Sequence, residues 1–267
     1  MKSDPDIISA ILGMIQGLTE FLPVSSSGHL IFFSWLLKGK PIPLAVNASL
    51  HFGTLIAVLV YFWHDWFNIA RGTYKKIVNR EDSFESNFLL PALILGSVPA
   101  GVAGLLGKDL IEEVFHKPLS IVIPLLSVGY ILWILDYKSP SGKSLKNMNI
   151  KDALLIGFAQ AIALIPGVSR SGATISCARA LGYERMAAAR FSFLLGTPAM
   201  GGAALLHWKD FLASMGSSEF YIGIISSFLV GCCTIKFFLE FIKKFGFLVF
   251  ALYRTALALL ILVVYLA

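Results

Sequence analysis

Gln16-Gly-Leu-Thr-Glu20-Phe-Leu-Pro23-Val-Ser25-Ser26-Ser27-Gly28-His29 is a polar, serine-rich stretch inside apolar sequence. It is matched 144 positions later by Gln160-Ala-Ile-Ala-Leu-Ile-Pro166-Gly167-Val-Ser169-Arg170-Ser171-Gly172-Ala-Thr174. At that offset Gly13 aligns with Gly157, Gln16 with Gln160, Val24 with Val168, Ser25 with Ser169, Ser27 with Ser171 and Gly28 with Gly172. A second match, at offset 143, pairs Ser49, Gly53 and Thr54 with Ser192, Gly196 and Thr197. Polar backbone and charge at membrane depth are costly, so they normally line a site. Repeated in two halves, they predict one pocket shared between the halves.

The surrounding sequence sets the solvent. Mean hydropathy is +0.77, 57% of residues are hydrophobic and only 14% are charged, against about 25% charged in a soluble domain. The 267 residues leave room for about six to eight spans of ~20 residues. A net charge of +6 reads as Lys and Arg of cytoplasmic loops, and no basic stripe with interleaved aromatics points to nucleic acid. Three cysteines, Cys177 and the adjacent Cys232 and Cys233, have neither disulfide-framework nor zinc spacing and read as packing residues. Asp4 and Asp6 are the wrong charge for the start of a signal peptide, so the first helix is expected to be retained.

Six full spans are expected at about 44–65, 87–107, 118–136, 187–207, 220–242 and 246–266. Two further stretches, about 6–37 and 152–182, are apolar but interrupted by the serine motifs. Pro23 and Pro166-Gly167 break each into two half-length helices, because proline lacks the N–H and disfavours helix before it. Basic loops holding Arg71, Lys75, Lys76 and Arg80, then Lys138, Lys143, Lys146 and Lys151, then Lys243 and Lys244, are placed in the cytoplasm. The opposing loops hold Asp109, Glu112, Glu113, Asp210 and Glu219 with few cations (Lys108, Lys117, Lys209). Alternation of the six spans then requires 152–182 to begin and end inside, and 6–37 to begin and end outside. The expected fold is an all-α polytopic membrane protein of six transmembrane helices plus two re-entrant helix pairs. It forms a single integral membrane domain over 1–267, an inverted-topology repeat with halves at about 6–136 and 152–266. Eight full spans are the alternative, but they would leave Glu20, His29 and Arg170 in or near hydrocarbon without partners.

The two motifs differ where chemistry would need them to. Ser26 stands opposite Arg170, Glu20 opposite Leu164 and His29 opposite Ala173. One half supplies a carboxylate, an imidazole and hydroxyls, and the other a guanidinium and hydroxyls. Hydrolysis uses such a division and transport alone does not. Arg170 between Ser169 and Ser171 suits a phosphate, with bidentate donors, hydroxyls and the free N–H groups of a helix start; Ser25 and Ser27 fit the same role. Glu20 could ligate Mg²⁺ or Ca²⁺ beside a phosphate or act as a base. His29 could donate a proton or attack phosphorus, and Ser26 could be a nucleophile activated by His29 or Glu20. Glu20 paired to Arg170 for structure alone, and serines serving only as caps, are the plainer readings. Gln16, Asn47, His51 and Gln160 are candidate pocket lining. Arg254 is expected to snorkel or to pair with Glu240, and Trp63-His64 and His207-Trp208 to anchor span ends.

These residues resemble the undecaprenyl-diphosphate phosphatase family, the membrane enzymes linked to bacitracin resistance. The resemblance rests on 16–29 and 166–174, on Ser192-Phe-Leu-Leu-Gly196-Thr-Pro198 and on Tyr253-Arg254, and it covers nearly the whole chain. It implies hydrolysis of undecaprenyl diphosphate to the monophosphate in the bacterial cell (inner) membrane, recycling the lipid carrier for cell-wall glycans. Carried over residue by residue, Glu20 falls on the acidic motif, Ser26 on a proposed nucleophile and His29 on a catalytic histidine. Ser169, Arg170 and Thr174 fall on the phosphate-binding motif. The family is similar in requiring a divalent cation. Its acidic motif begins with Glu or Gln; Gln16 here cannot be an anionic ligand, which leaves that role to Glu20. The pocket is expected to open to the periplasm or exterior, and a homo-oligomer is compatible with the sequence. A transporter or flippase of a phosphorylated lipid or other anion is the alternative, because inverted repeats with broken helices are a common transporter plan.

Overall fold

The computed structural model describes residues 4–38, 44–80, 82–84, 88–114, 118–139, 142–206 and 208–266, without the side chains of 38, 44–45, 108–114, 206, 210 and 213–214. Lys117 and His207, and the side chains of Lys108, Asp109, Glu112, Glu113 and Asp210, therefore lie outside the described residues. Within them every regular element is helical, with one isolated bridge between Lys143 and Tyr183.

Helix α1 (Pro5–Thr19) starts where Asp4 accepts the Asp6 N–H and Pro5 fills the first turn. It stops ahead of Pro23, and α2 (Ser26–Lys38) resumes after a six-residue turn. The second motif repeats this. Helix α7 (Ile150–Ile162) is capped by Asn149, breaks over Pro166-Gly167, and α8 (Arg170–Ala180) follows. Between and after these pairs come α3 (Leu44–Tyr61), α4 (Trp63–Val78), α5 (Leu90–Val114), α6 (Val122–Lys138), α9 (Arg185–Leu206), α10 (Trp208–Ser214), α11 (Ser218–Lys244) and α12 (Leu248–Leu266).

Four segments are long and apolar enough to cross a membrane, Leu90–Gly107, Pro118–Lys138, Ser218–Lys244 and Leu248–Leu266, and a fifth is the bent pair α3–α4. The expected span 44–65 is corrected: α3 ends at Tyr61 and the chain bends by 68° into α4. Arg71, Lys75 and Lys76, read as loop, are helical, and only Arg80 follows the helix. The physical reason is amphipathicity. At 100° per residue Trp63, Phe67, Tyr74, Ile77 and Val78 share one exposed face while Ile69 and Gly72 turn inward. Helix α9 is not among the four; alanines, glycines and Arg190 dilute its apolar character.

The packing crosses the chain. Helix α1 lies against α11, α7 against α5, and α6 against α12. The aligned glycines permit the first two contacts: a methyl at Gly13 would stand 2.0 Å from Ser226 Oγ, and one at Gly157 2.2 Å from Gly96 O. At one end of the bundle Asp136 of α6 accepts from Arg179 of α8 (2.9 Å) and Arg185 of α9 (2.8 Å). Beside it the Tyr183 hydroxyl donates to Asp152 at 2.7 Å. Burial first, then that bond and the Asp152 charge, push the Tyr183 phenol above its ordinary range, so it donates without ionising.

Candidate active site

The two serine motifs fold into the same turn. Ser25 has φ 73° and Ser169 φ 75°, a left-handed backbone that costs a non-glycine residue about 1–3 kcal/mol and concentrates at functional sites. Local hydrogen bonds hold it. Ser25 Oγ accepts the Gly28 N–H at 3.2 Å and lies 3.3 Å from Ser27 Oγ. Ser169 Oγ accepts the Gly172 N–H at 3.1 Å and lies 3.2 Å from Ser171 Oγ. The turns also touch: Gly167 N–H donates to Ser27 Oγ at 3.4 Å and Ser171 Oγ to Leu22 O at 3.0 Å. The starts of α2 and α8 are thereby brought together, and with them two sets of free N–H groups and two positive dipole ends.

At that junction lies Glu20. Its Oε2 accepts the Ser26 hydroxyl at 2.6 Å and Gln16 Nε2 at 3.0 Å, and its Oε1 accepts Arg170 Nη2 at 3.3 Å. Gln16 Nε2 also donates to His51 Nδ1 at 2.9 Å, and that nitrogen stands 3.8 Å from Glu20. Arg170 Nη1 donates to Ser192 O of α9 at 3.0 Å, while its Nε is buried without a partner. The site therefore joins a hydroxyl to a carboxylate acceptor, beside a guanidinium with a donor to spare. Five sequence candidates meet here: Gln16, Glu20, Ser26, His51 and Arg170.

His29 is one turn beyond Ser26 but bonds elsewhere. Its Nδ1 is 2.7 Å from Ser25 O and its Nε2 is 2.7 Å from the Tyr253 hydroxyl, and the residue is 1% exposed. Activation of Ser26 by His29 is thus not the arrangement present; Glu20 holds that hydroxyl. Thr174 is turned away into the α8–α9 contact, its hydroxyl 2.6 Å from Ser192 Oγ and 2.8 Å from Arg170 O. Ser25, Ser169 and Ser171 shape the turns. Asn47, half-buried one turn before His51, is not joined to these bonds. Gln160 is 3% exposed and neither of its amide atoms has a partner.

Two residues that frame the site were underread in the sequence. Arg254 neither snorkels nor pairs with Glu240, which instead binds Lys243. It is 0% exposed and donates to five carbonyls: Leu125 (2.7 Å), Pro23 (3.0 Å), Pro124 (3.0 Å), Gly167 (2.8 Å) and Val168 (3.2 Å). Pro23, Gly167 and Val168 belong to the two broken turns, so one guanidinium ties both together. An arginine inside an apolar span signals a buried role, but backbone acceptors carry no sequence mark. Gly196 makes room for Arg170, since a methyl there would stand 1.9 Å from Nη1. Gly196→Ala is expected to displace the guanidinium and lower turnover of a phosphate substrate about 100-fold with the fold retained, measured as phosphate release by the purified variant. Unchanged release would remove Gly196 from the site.

For a divalent cation the available donors are few but suitable. Among the described residues no three His, Cys, Asp or Glu side chains cluster. The Glu20 carboxylate and the buried, unpartnered Gln16 Oε1 are oxygen donors of the kind such an ion takes, and Mg²⁺ commonly takes one or two carboxylates and completes its shell with substrate phosphates and water. The residues fit a cation that arrives with, or is completed by, a phosphorylated substrate.

The chain is 41% identical over 268 residues to the undecaprenyl-diphosphatase of Thermomicrobium roseum, covering 96% of each chain. It is 43% identical over 261 residues to the undecaprenyl-diphosphatase of Thermodesulfovibrio yellowstonii, covering 96% of this chain and 95% of that one. Residues 9–260 match the family described as bacitracin resistance protein BacA, and the chain belongs to that family of multi-pass membrane proteins.

Proposed function

We propose that this protein hydrolyses undecaprenyl diphosphate to undecaprenyl phosphate and inorganic phosphate, returning the lipid carrier to cell-wall synthesis. The observation that carries the reading is Glu20, with one oxygen on the Ser26 hydroxyl at 2.6 Å and the other facing Arg170 at 3.3 Å, between two helix starts. Glu20 takes the Ser26 proton as Ser26 Oγ bonds to the terminal phosphorus. The bond from that phosphorus to the bridging oxygen breaks, and undecaprenyl phosphate leaves with the electron pair. Water then bonds to the phosphoserine phosphorus, Ser26 Oγ leaves with the electron pair and takes back the proton from Glu20, and the proton lost by water departs with inorganic phosphate. Arg170, with its spare Nε–H, and the N–H groups of α2 and α8 bind the transferring phosphoryl oxygens. Ser26 is favoured over His29 as nucleophile because both ring nitrogens of His29 are engaged. His29, on the next turn of α2, can then exchange a proton with the transferring group only through Nε2, where a phosphate or water takes the place of the Tyr253 hydroxyl. A divalent cation held by Glu20 and Gln16 Oε1 would neutralise charge on the diphosphate.

The finer architecture belongs to this proposal. The cross-packing of α1 on α11 and α7 on α5, with equivalent serine turns, supports one domain built as an inverted repeat with two re-entrant pairs, and its six spans require the bent pair α3–α4 and the less apolar α9 both to cross. With the basic loops inside, the pocket opens to the periplasm or exterior. The same plan would suit a flippase, but Glu20, Ser26 and His29 stand opposite Leu164, Arg170 and Ala173, and that asymmetry favours hydrolysis. The test is phosphate release from undecaprenyl diphosphate by purified protein with and without Mg²⁺ or Ca²⁺, and by right-side-out vesicles. Cation-dependent release, accessible from outside and reduced about 1,000-fold by Arg170→Ala, is expected. No release by folded wild type would overturn the hydrolase, and release confined to the cytoplasmic face would overturn the orientation.

A further inference from the structure

Tyr253 is half-exposed on α12, yet its hydroxyl reaches 2.7 Å from His29 Nε2. The other ring nitrogen fixes what that bond is. Ser25 O can only accept, so Nδ1, 2.7 Å away, carries the proton. In the neutral imidazole Nε2 then has only a lone pair, and the Tyr253 hydroxyl donates to it. The rings reinforce the arrangement: His29 lies parallel to Tyr253 (centroids 5.6 Å, 6°) and to Phe33 (6.4 Å, 18°). The next residue, Arg254, binds carbonyls of both serine turns, so the placement of Tyr253 is tied to the backbone that positions Ser26 and Arg170.

We infer that Tyr253 is a positioning residue for His29, holding the neutral Nδ1–H imidazole at a fixed rotation with its Nε2 lone pair directed to the phenol. Within the Tyr253-Arg254 pair, Arg254 sets the two turns and Tyr253 sets the histidine between them. The inference rests on His29 belonging to the reacting site proposed above.

Tyr253→Phe removes one oxygen from a half-exposed ring and keeps its packing. In the full-length protein kcat for phosphate release is expected to fall about tenfold, with KM changed less than about twofold. The readout that loss of packing alone would not give is nitrogen-15 resonance of labelled histidine, with His29→Gln identifying the His29 signals. In Tyr253→Phe the His29 Nε2 signal should move from a hydrogen-bonded acceptor to a free one while Nδ1 stays protonated. An unmoved Nε2 signal, or wild-type kcat, would overturn the inference. If the wild type releases no phosphate, the hydrolase reading fails, and the Nε2 signal alone then decides whether Tyr253 holds His29.

Discussion

Glu20→Gln should lower kcat for phosphate release roughly 1,000-fold, within the range for losing a general base, while leaving KM unchanged or lower at saturating divalent cation. The carboxylate is the acceptor for the Ser26 proton at 2.6 Å, and the amide keeps its shape but not its basicity. Glu20 also occupies Arg170 through its other oxygen at 3.3 Å. Neutralising it frees that guanidinium for phosphate and removes a negative charge facing the diphosphate, which is why KM is not expected to rise. Arg170→Ala should differ by raising KM as well, because it removes a group that binds phosphate. Ser26→Ala should match Glu20→Gln in kcat, and the double variant should be no worse than either, since the two act as one unit. Steady-state phosphate release by the four proteins decides it. Wild-type turnover by Ser26→Ala would shift the nucleophile to another group, and additive losses would mean that Glu20 and Ser26 work separately.

Arg254→Met should destabilise the protein more than any substitution at the reacting residues. Five carbonyls lose their donor at once, in a place from which water is excluded. A buried carbonyl left without its donor costs about 1–3 kcal/mol, so losing the donor to several should lower the apparent melting temperature in detergent by roughly 6–20 °C at about 2–4 °C per kcal/mol. Lysine restores the charge but not the planar fork that reaches several carbonyls, so Arg254→Lys should fall between wild type and Arg254→Met. Turnover should fall with stability, because Pro23, Gly167 and Val168 lie in the two turns that present Ser26 and Arg170. A thermal transition unchanged in Arg254→Met would mean that the turns hold their shape through their own serine bonds.

Several parts of this molecule were legible from residue order because they are local. A proline removes an N–H and a serine caps the helix that follows, so the breaks before Ser26 and Arg170 are written within a few residues of each other. The match between the motifs announced the common turn seen at Ser25 and Ser169, and composition announced a helical membrane protein. Residue type singled out Glu20 and Arg170, since charges in apolar sequence must find partners. The amphipathic face of α4 is also written locally, in the spacing of Trp63, Phe67, Tyr74, Ile77 and Val78.

What only the tertiary structure decided is which partner each group found. Glu20 and Arg170 are 150 positions apart, and Arg254 and Pro23 are 231 apart. Ser26 has both Glu20 and His29 nearby in sequence; it bonds Glu20, while His29 bonds Ser25 O and Tyr253, from the other end of the chain. Arg254 was expected to snorkel or to pair with Glu240, but the two broken turns bring carbonyls within its reach, and a guanidinium can serve several of them together. Gly196 stands out in sequence as a repeat match and a motif position; only the approach of Arg170 to within what a methyl would fill gives it a reason. Sequence fixed which chemical groups enter the membrane and where the helices break. Close packing of distant segments fixed the pairing, because a buried polar group must be satisfied by whatever the fold brings within about 3 Å.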